Sequence, residues 1–141
     1  AHGSARGDPQ RWRCGVFVVF GAAAEAAAVV VCVCVGGRHQ RLRFRAASIP
    51  GITNEAAVFL ASLKPTAVGA DTWGLGAVPP RPGDKIFYDH VVLLKQNGIY
   101  ILETMNTGRL AQESVHEFMF VLGQARLKGA VQMIINPVAM W

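Results

Sequence analysis

Charge is scarce in this chain: only 16% of its 141 residues are Asp, Glu, Lys or Arg, against 52% hydrophobic. That balance excludes an intrinsically disordered chain, which needs low hydrophobicity and high charge. Acidic residues are rarer than basic ones, nine against fourteen, leaving a formal charge of +5. The excess does not describe a nucleic-acid-binding face. Residues 1–50 carry seven Arg against Asp8 and Glu25, whereas residues 51–141 balance seven basic side chains with seven acidic ones. A surplus confined to one end reads as a tail. Lysine is missing from residues 1–47, where arginine alone supplies the positive charge. Cysteine is limited to Cys14, Cys32 and Cys34. An odd number without regular spacing argues against a disulfide-stapled secreted scaffold. Cys32 and Cys34 have the wrong interval for a zinc knuckle, and no second pair answers them. A reducing compartment, the cytoplasm, is the expectation. No internal repeat is present.

The length suits one domain with a real core. Residues 1–14 are polar and expected to be loose. Residues 15–35, GVFVVFGAAAEAAAVVVCVCV, are long enough for a membrane span and are flanked by Arg11, Arg13 and Arg38. Glu25 at the centre is expensive in lipid, and Gly21 divides the run. Strand–helix–strand inside a soluble domain is therefore preferred over membrane association, and a cleaved secretory signal ranks lower still. Residues 36–45, GGRHQRLRFR, read as a solvated strand edge with Leu42 and Phe44 on one face, rather than as a phosphate-binding stripe. Composition changes near Ala47, so residues 1–47 form an atypical Arg/Ala/Val-rich segment and residues 48–141 the orderly portion.

From Ser48 the pattern sharpens. Thr53 or Asn54 caps a helix whose apolar residues Ala56, Phe59, Leu60 and Leu63 keep helical spacing, and Lys64-Pro65 ends it. Residues 66–70 read as a short strand with Asp71-Thr72-Trp73 at its carboxyl end, and residues 74–84 as Gly/Pro-rich loop. Residues 85–108 are the centre of the chain. They predict a short helix over residues 89–96, a stop at Gly98, and a strand over residues 99–102 buried on both faces. Glu103 ends that strand. A carboxylate there is costly to bury unless paired or bound to a metal, which makes Glu103 the first candidate for chemistry. Its blander alternative is a salt bridge to Lys95, Arg126 or Lys128. Residues 118–122 and 131–135 read as further core strands. For Trp73 and Tyr100 core packing is the default over lining an aromatic substrate pocket, and His116 is expected at the surface.

The blocks PGITNEAAVFLAS, VGADTWGL, HVVLLKQNGIYILETMN, EFMFVLGQARLKGA and NPVA occur in this order. Together they resemble the C-terminal half of the metal-dependent cyclase family, which includes bacterial kynurenine formamidase and isatin hydrolase. About two-thirds of the chain is covered. The resemblance implies an α+β, swivelling β/β/α cyclase-like fold, incomplete here. It also implies a zinc or manganese ion, assembly as a homo-oligomer, and hydrolysis of a C–N bond in a small-molecule amide, an aryl formamide or lactam. By position His90 and Glu103 resemble two of the family's metal ligands, and Asp71 a second-shell or structural carboxylate. The interval between His90 and Glu103 is one residue longer than the family's, and Gly98 is expected to absorb it as an extended turn. The family's upstream His-x-Gly-Thr-His-x-Asp motif is missing: residues 1–47 hold only His2 and His39, with no acidic residue two positions after either. A truncated or frame-shifted N-terminus would leave such a composition. The expectation is a hydrolase by descent that is weakly active or inactive alone. The alternative is a non-catalytic remnant, or an interaction subunit whose partner completes the metal site.

Overall fold

Helix α1 (Asn54–Ser62) starts where its cap is supplied: the Thr53 hydroxyl accepts the Ala56 N–H at 3.2 Å. Of the two expected caps, Thr53 fills the role. The helix stops at Leu63; Lys64 turns left-handed (φ 51°), and Pro65 follows. Its buried stripe is Ala57, Leu60 and Ala61, while Phe59 and Leu63 face outward. The expected stripe was therefore rotated, because two small alanines allow the close approach that Phe59 would block.

The computed structural model describes residues 13–20, 28–35, 49–123 and 127–141. The basic stretch 36–45 and the helix expected within residues 15–35 lie outside them. Strands β1 (Arg13–Phe20) and β2 (Ala28–Val35) pair antiparallel, with Arg13 opposite Val35 and Phe20 opposite Ala28. β2 pairs parallel with β3 (Ala67–Gly69), and β3 pairs parallel with β4 (Tyr100–Leu102), giving the sheet order β1-β2-β3-β4. Much of the long apolar run is thus divided between two sheet strands. Among the described residues no helix is long and apolar enough to cross a membrane.

Parallel pairing requires crossovers, and these carry the helices that cover β3. Its side chains alternate between faces. Val68, with Ala70 just beyond, joins Ala57, Leu60, Ala61, Leu75, Val92, Leu93 and Ile99 in one apolar cluster. Ala67 joins Leu102, Met105, Leu110 and Phe118 in the other. β4 is the last of the described strands in the sheet; Ile99 just before it is buried in the first cluster and Leu102 in the second, as expected, Ile101 packs partly against the first, and Tyr100 is 53% exposed.

The crossover into β4 is helical but not α-helical throughout. A single turn, α2 (Tyr88–His90), runs into a π-helical segment, Val91–Gln96. Val92 and Leu93 face the core, while Val91 and Leu94 face solvent. The wide turn leaves carbonyls that must be satisfied. Asn97 Nδ2 donates to the Val92 carbonyl (2.8 Å), the Ile99 N–H to Leu93 (2.9 Å) and the Gly98 N–H to Leu94 (3.1 Å). Gly98 makes the reversal at φ 66°, where a Cβ would be strained.

Beyond Glu103, helix α3 (Gly108–Gln112) leads to β5 (Met119–Val121), which pairs antiparallel with β6 (Val138–Met140) as a separate two-stranded ribbon. Phe120 and Ala139 pack inward against the second cluster, whereas Met119, Val121, Val138 and Met140 face out. The core strand expected over residues 118–122 is thus half exposed. The strand expected over residues 131–135 does not form; Val131 and Ile134 are 98% and 99% exposed, and the partner is β6. Apolar composition alone does not identify which segment finds a pairing edge.

The chain ends on a small polar clasp. Glu113 accepts from Arg109 Nε (2.7 Å) and from Trp141 Nε1 (2.8 Å), and the Arg109 guanidinium lies 4.9 Å from the Trp141 ring centre. The hydrogen bond from Arg109, then that from Trp141, holds the Glu113 carboxyl below its ordinary value of 4.5. A depressed carboxyl favours the folded clasp above the unfolded value and loses that preference as pH falls through the folded one. The Trp141 indole N–H resonance should therefore hold its position down to the ordinary glutamate range and move only below it. Glu113→Gln should abolish that acid-side movement; an unchanged profile would show the clasp does not persist in solution.

Candidate functional site

Glu103 stands immediately after β4, beside the loop that leaves β3. Four backbone hydrogen bonds tie these segments together: Tyr100 N–H to the Thr66 carbonyl (3.1 Å), Ala70 to Leu102 (2.8 Å), Thr104 to Thr72 (2.8 Å) and Met105 to Ala70 (3.1 Å). That ladder brings the Leu75 N–H onto Glu103 Oε1 at 2.9 Å. One carboxylate oxygen is thereby fixed by main chain, which is more rigid than any side-chain partner.

His90, thirteen positions upstream of Glu103, closes the site from the helical crossover. Its Nε2 lies 3.5 Å from Glu103 Oε1, and its Nδ1 lies 3.0 Å from Asp89 Oδ2. The Phe87 ring meets the imidazole edge-on, with centroids 5.5 Å apart and planes at 82°. Asp89 is only 3% exposed, so its carboxylate needs a close partner, and His90 supplies one. Gly76 lies against it: a Cβ there would sit 3.0 Å from Asp89 Oδ1. The turn before α2 is held from α1, where the Asn54 amide, oriented as its surroundings require, accepts from the Lys85 N–H (2.7 Å) and donates to the Lys85 carbonyl (3.1 Å).

Two non-glycine residues flank this constellation in the left-handed region, Phe87 (φ 56°) and Thr104 (φ 59°). For Thr, β-branched, that conformation is a true outlier, and each such residue costs on the order of 1–3 kcal/mol. One precedes His90 by three positions and the other directly follows Glu103. The surrounding hydrogen bonds hold the backbone in these conformations.

The two candidate ligands from the sequence, His90 and Glu103, therefore meet. Asp71 lies half-buried on the loop after β3, next to Thr72, whose carbonyl binds the residue after Glu103. Trp73, on the same loop, is exposed rather than in the core, as is Tyr100. His116 is at the surface, as expected. Sequence reasoning missed Asp89, which reads as an ordinary helix-start acid, and the Leu75 N–H, which no side chain advertises. The adjacent Asp-His pair was the available signal.

A zinc or manganese ion can be weighed against this geometry. Two donors of one tetrahedral zinc ion with bonds of about 2.0–2.1 Å stand about 3.3 Å apart. The 3.5 Å between His90 Nε2 and Glu103 Oε1 fits that separation. The Asp89–His90 contact also has the form in which a carboxylate orients a ligating imidazole. The set is short, however: among the described residues no three His, Cys, Asp or Glu side chains are placed to hold a metal ion. The fit is to half of a centre.

No family model, curated protein or solved structure matches this chain.

Proposed function

We propose that this chain is the C-terminal portion of a metal-dependent hydrolase of the cyclase type, in which His90 and Glu103 supply two ligands to a zinc or manganese ion. The α+β, swivelling β/β/α architecture belongs to this proposal, as do a small-molecule amide substrate (an aryl formamide or lactam), homo-oligomeric assembly and a cytoplasmic setting. One observation carries it: an imidazole nitrogen and a carboxylate oxygen, delivered by separate elements, converge to 3.5 Å beside strained backbone. The π-helical segment lends further support. It runs from His90 toward the reversal before β4, and such π-turns recur at functional sites.

When bound, the ion would lower the pKa of a water and polarise the scissile carbonyl. The chain's own contribution is positional. The Leu75 N–H fixes Glu103, Asp89 and Phe87 fix the His90 ring, and Thr72 and Ala70 fix the backbone beyond Glu103. The proton-transfer histidine of the upstream motif has no counterpart in the sequence, so hydrolysis by the chain alone should be weak or absent.

The test pairs metal uptake with an aryl formamide assay on the full chain. Zinc or manganese binding that Glu103→Ala weakens more than 100-fold, with little turnover, is the expected result; outer-shell losses alone cost about 10–100-fold. Metal binding unaffected by Glu103→Ala would overturn the proposal. A second reading, an interaction subunit whose partner completes the site, is favoured by the outward apolar face of the β5–β6 ribbon. It predicts tight metal uptake only after a partner is added.

A further inference from the structure

The hydrogen-bonding roles around His90 are determined by which groups can donate. A carboxylate can only accept, so the 3.0 Å contact between Asp89 Oδ2 and His90 Nδ1 places a proton on Nδ1. The other ring nitrogen then faces a second carboxylate, Glu103 Oε1, at 3.5 Å. A lone pair and a carboxylate oxygen at that distance repel unless something positive lies between them. Glu103 cannot turn away freely, because the Leu75 N–H holds the same oxygen at 2.9 Å. His90 cannot turn freely either, with Phe87 edge-on to its ring. Gly76 leaves room for the Asp89 carboxylate, which a side chain there would press on.

We infer that Asp89 is a positioning residue. It holds the Nδ1 proton of His90 so that Nε2 presents an electron pair, rather than an N–H, toward Glu103. The pair becomes an acceptor cleft for a cation. Without Asp89, the favourable arrangement is the reverse tautomer: Nε2–H donates to Glu103, and the cleft closes on itself. The hydrolase reading enters only in naming the cation as a divalent metal; the tautomer of the neutral ring is argued from its two contacts, 3.0 Å to Asp89 and 3.5 Å to Glu103.

The ring nitrogens report this directly, because protonated and unprotonated imidazole nitrogens have well-separated ¹⁵N shifts. Spectra of the metal-free full chain, at mildly alkaline pH, should show His90 carrying its proton on Nδ1. Asp89→Ala should move the proton to Nε2. Asp89→Asn, whose amide oxygen can still accept, should restore the Nδ1 proton in part. Titration with Zn²⁺ alone should give about 10–100-fold weaker binding for Asp89→Ala, as for loss of an orienting carboxylate elsewhere. A wild-type ring protonated on Nε2, or an Asp89→Ala ring with its tautomer unchanged, overturns the inference even if Asp89→Ala folds poorly, because the wild-type spectrum decides alone. A wild-type ring protonated on Nδ1 that takes up no Zn²⁺ upholds Asp89's role and removes the metal from the proposed function. Zn²⁺ bound through Glu103 beside an Nε2-protonated apo ring does the opposite.

Discussion

Leu93→Ala is expected to lower the unfolding free energy by about 2–5 kcal/mol, the range for emptying a fully enclosed leucine site. Leu93 is 0% exposed and packs in the cluster shared by α1 and β3. It also sits inside the π-helical segment, where the Ile99 N–H closes on its carbonyl. The surroundings are thus pinned by hydrogen bonds and poorly able to collapse into the space, which argues for the upper half of the range. Leu94 is the control. It is one position on, chemically identical and exposed, so Leu94→Ala should change stability by roughly 0.5 kcal/mol or less. Urea titrations of the two variants give the comparison. A larger loss for Leu94→Ala than for Leu93→Ala would overturn the π-helical register, since a one-residue shift in that segment exchanges which leucine faces the core.

Gly51→Ala should cost about 1–3 kcal/mol or more, by overpacking rather than by a cavity. A Cβ at Gly51 would overlap the main chain of Gly76 and Ala77, which unlike a flexible side chain has nowhere to go. Around this crossing the backbone is bonded on both sides, Ile52 N–H to the Leu75 carbonyl (2.9 Å) and Ala77 N–H to the Ile52 carbonyl (3.2 Å). Any shift that relieves the overlap moves Leu75 and Gly76 together, and with them the N–H on Glu103 and the wall behind Asp89. The expected signature is therefore a double loss, in thermal stability and in metal affinity. Gly74→Ala, whose added Cβ meets nothing within 4 Å, should spare both. A Gly51→Ala protein that melts early yet binds zinc normally would uncouple the crossing from the site.

Much of the local structure could be read from residues. The Thr53 cap and Pro65 define α1, and Gly98 marks a reversal, because caps, ring-locked φ and positive φ are properties of one or two residues. Glu103 stood out because a charge at the end of an apolar run is costly wherever the chain places it. The misjudged elements have a different character. Val131 and Ile134 are apolar but exposed, and the chain pairs β5 with residues 138–140 instead. Tyr100 and Trp73 look like core residues and are not, because β4 is the last of the described strands in its sheet and Trp73 lies on a loop.

Residue order alone established where the first helix starts and stops, that the positive excess is confined to one end, and that His90 and Glu103 were the side chains to watch. Only the tertiary arrangement decided that they face one another, that Asp89 stands behind the imidazole, and that a backbone N–H from Leu75 holds Glu103. The reason is one of range. Caps and turns are settled within a few bonds of the residue that makes them. A contact such as Leu75 to Glu103, 28 positions apart, depends on strand pairing and helix packing that no single residue encodes.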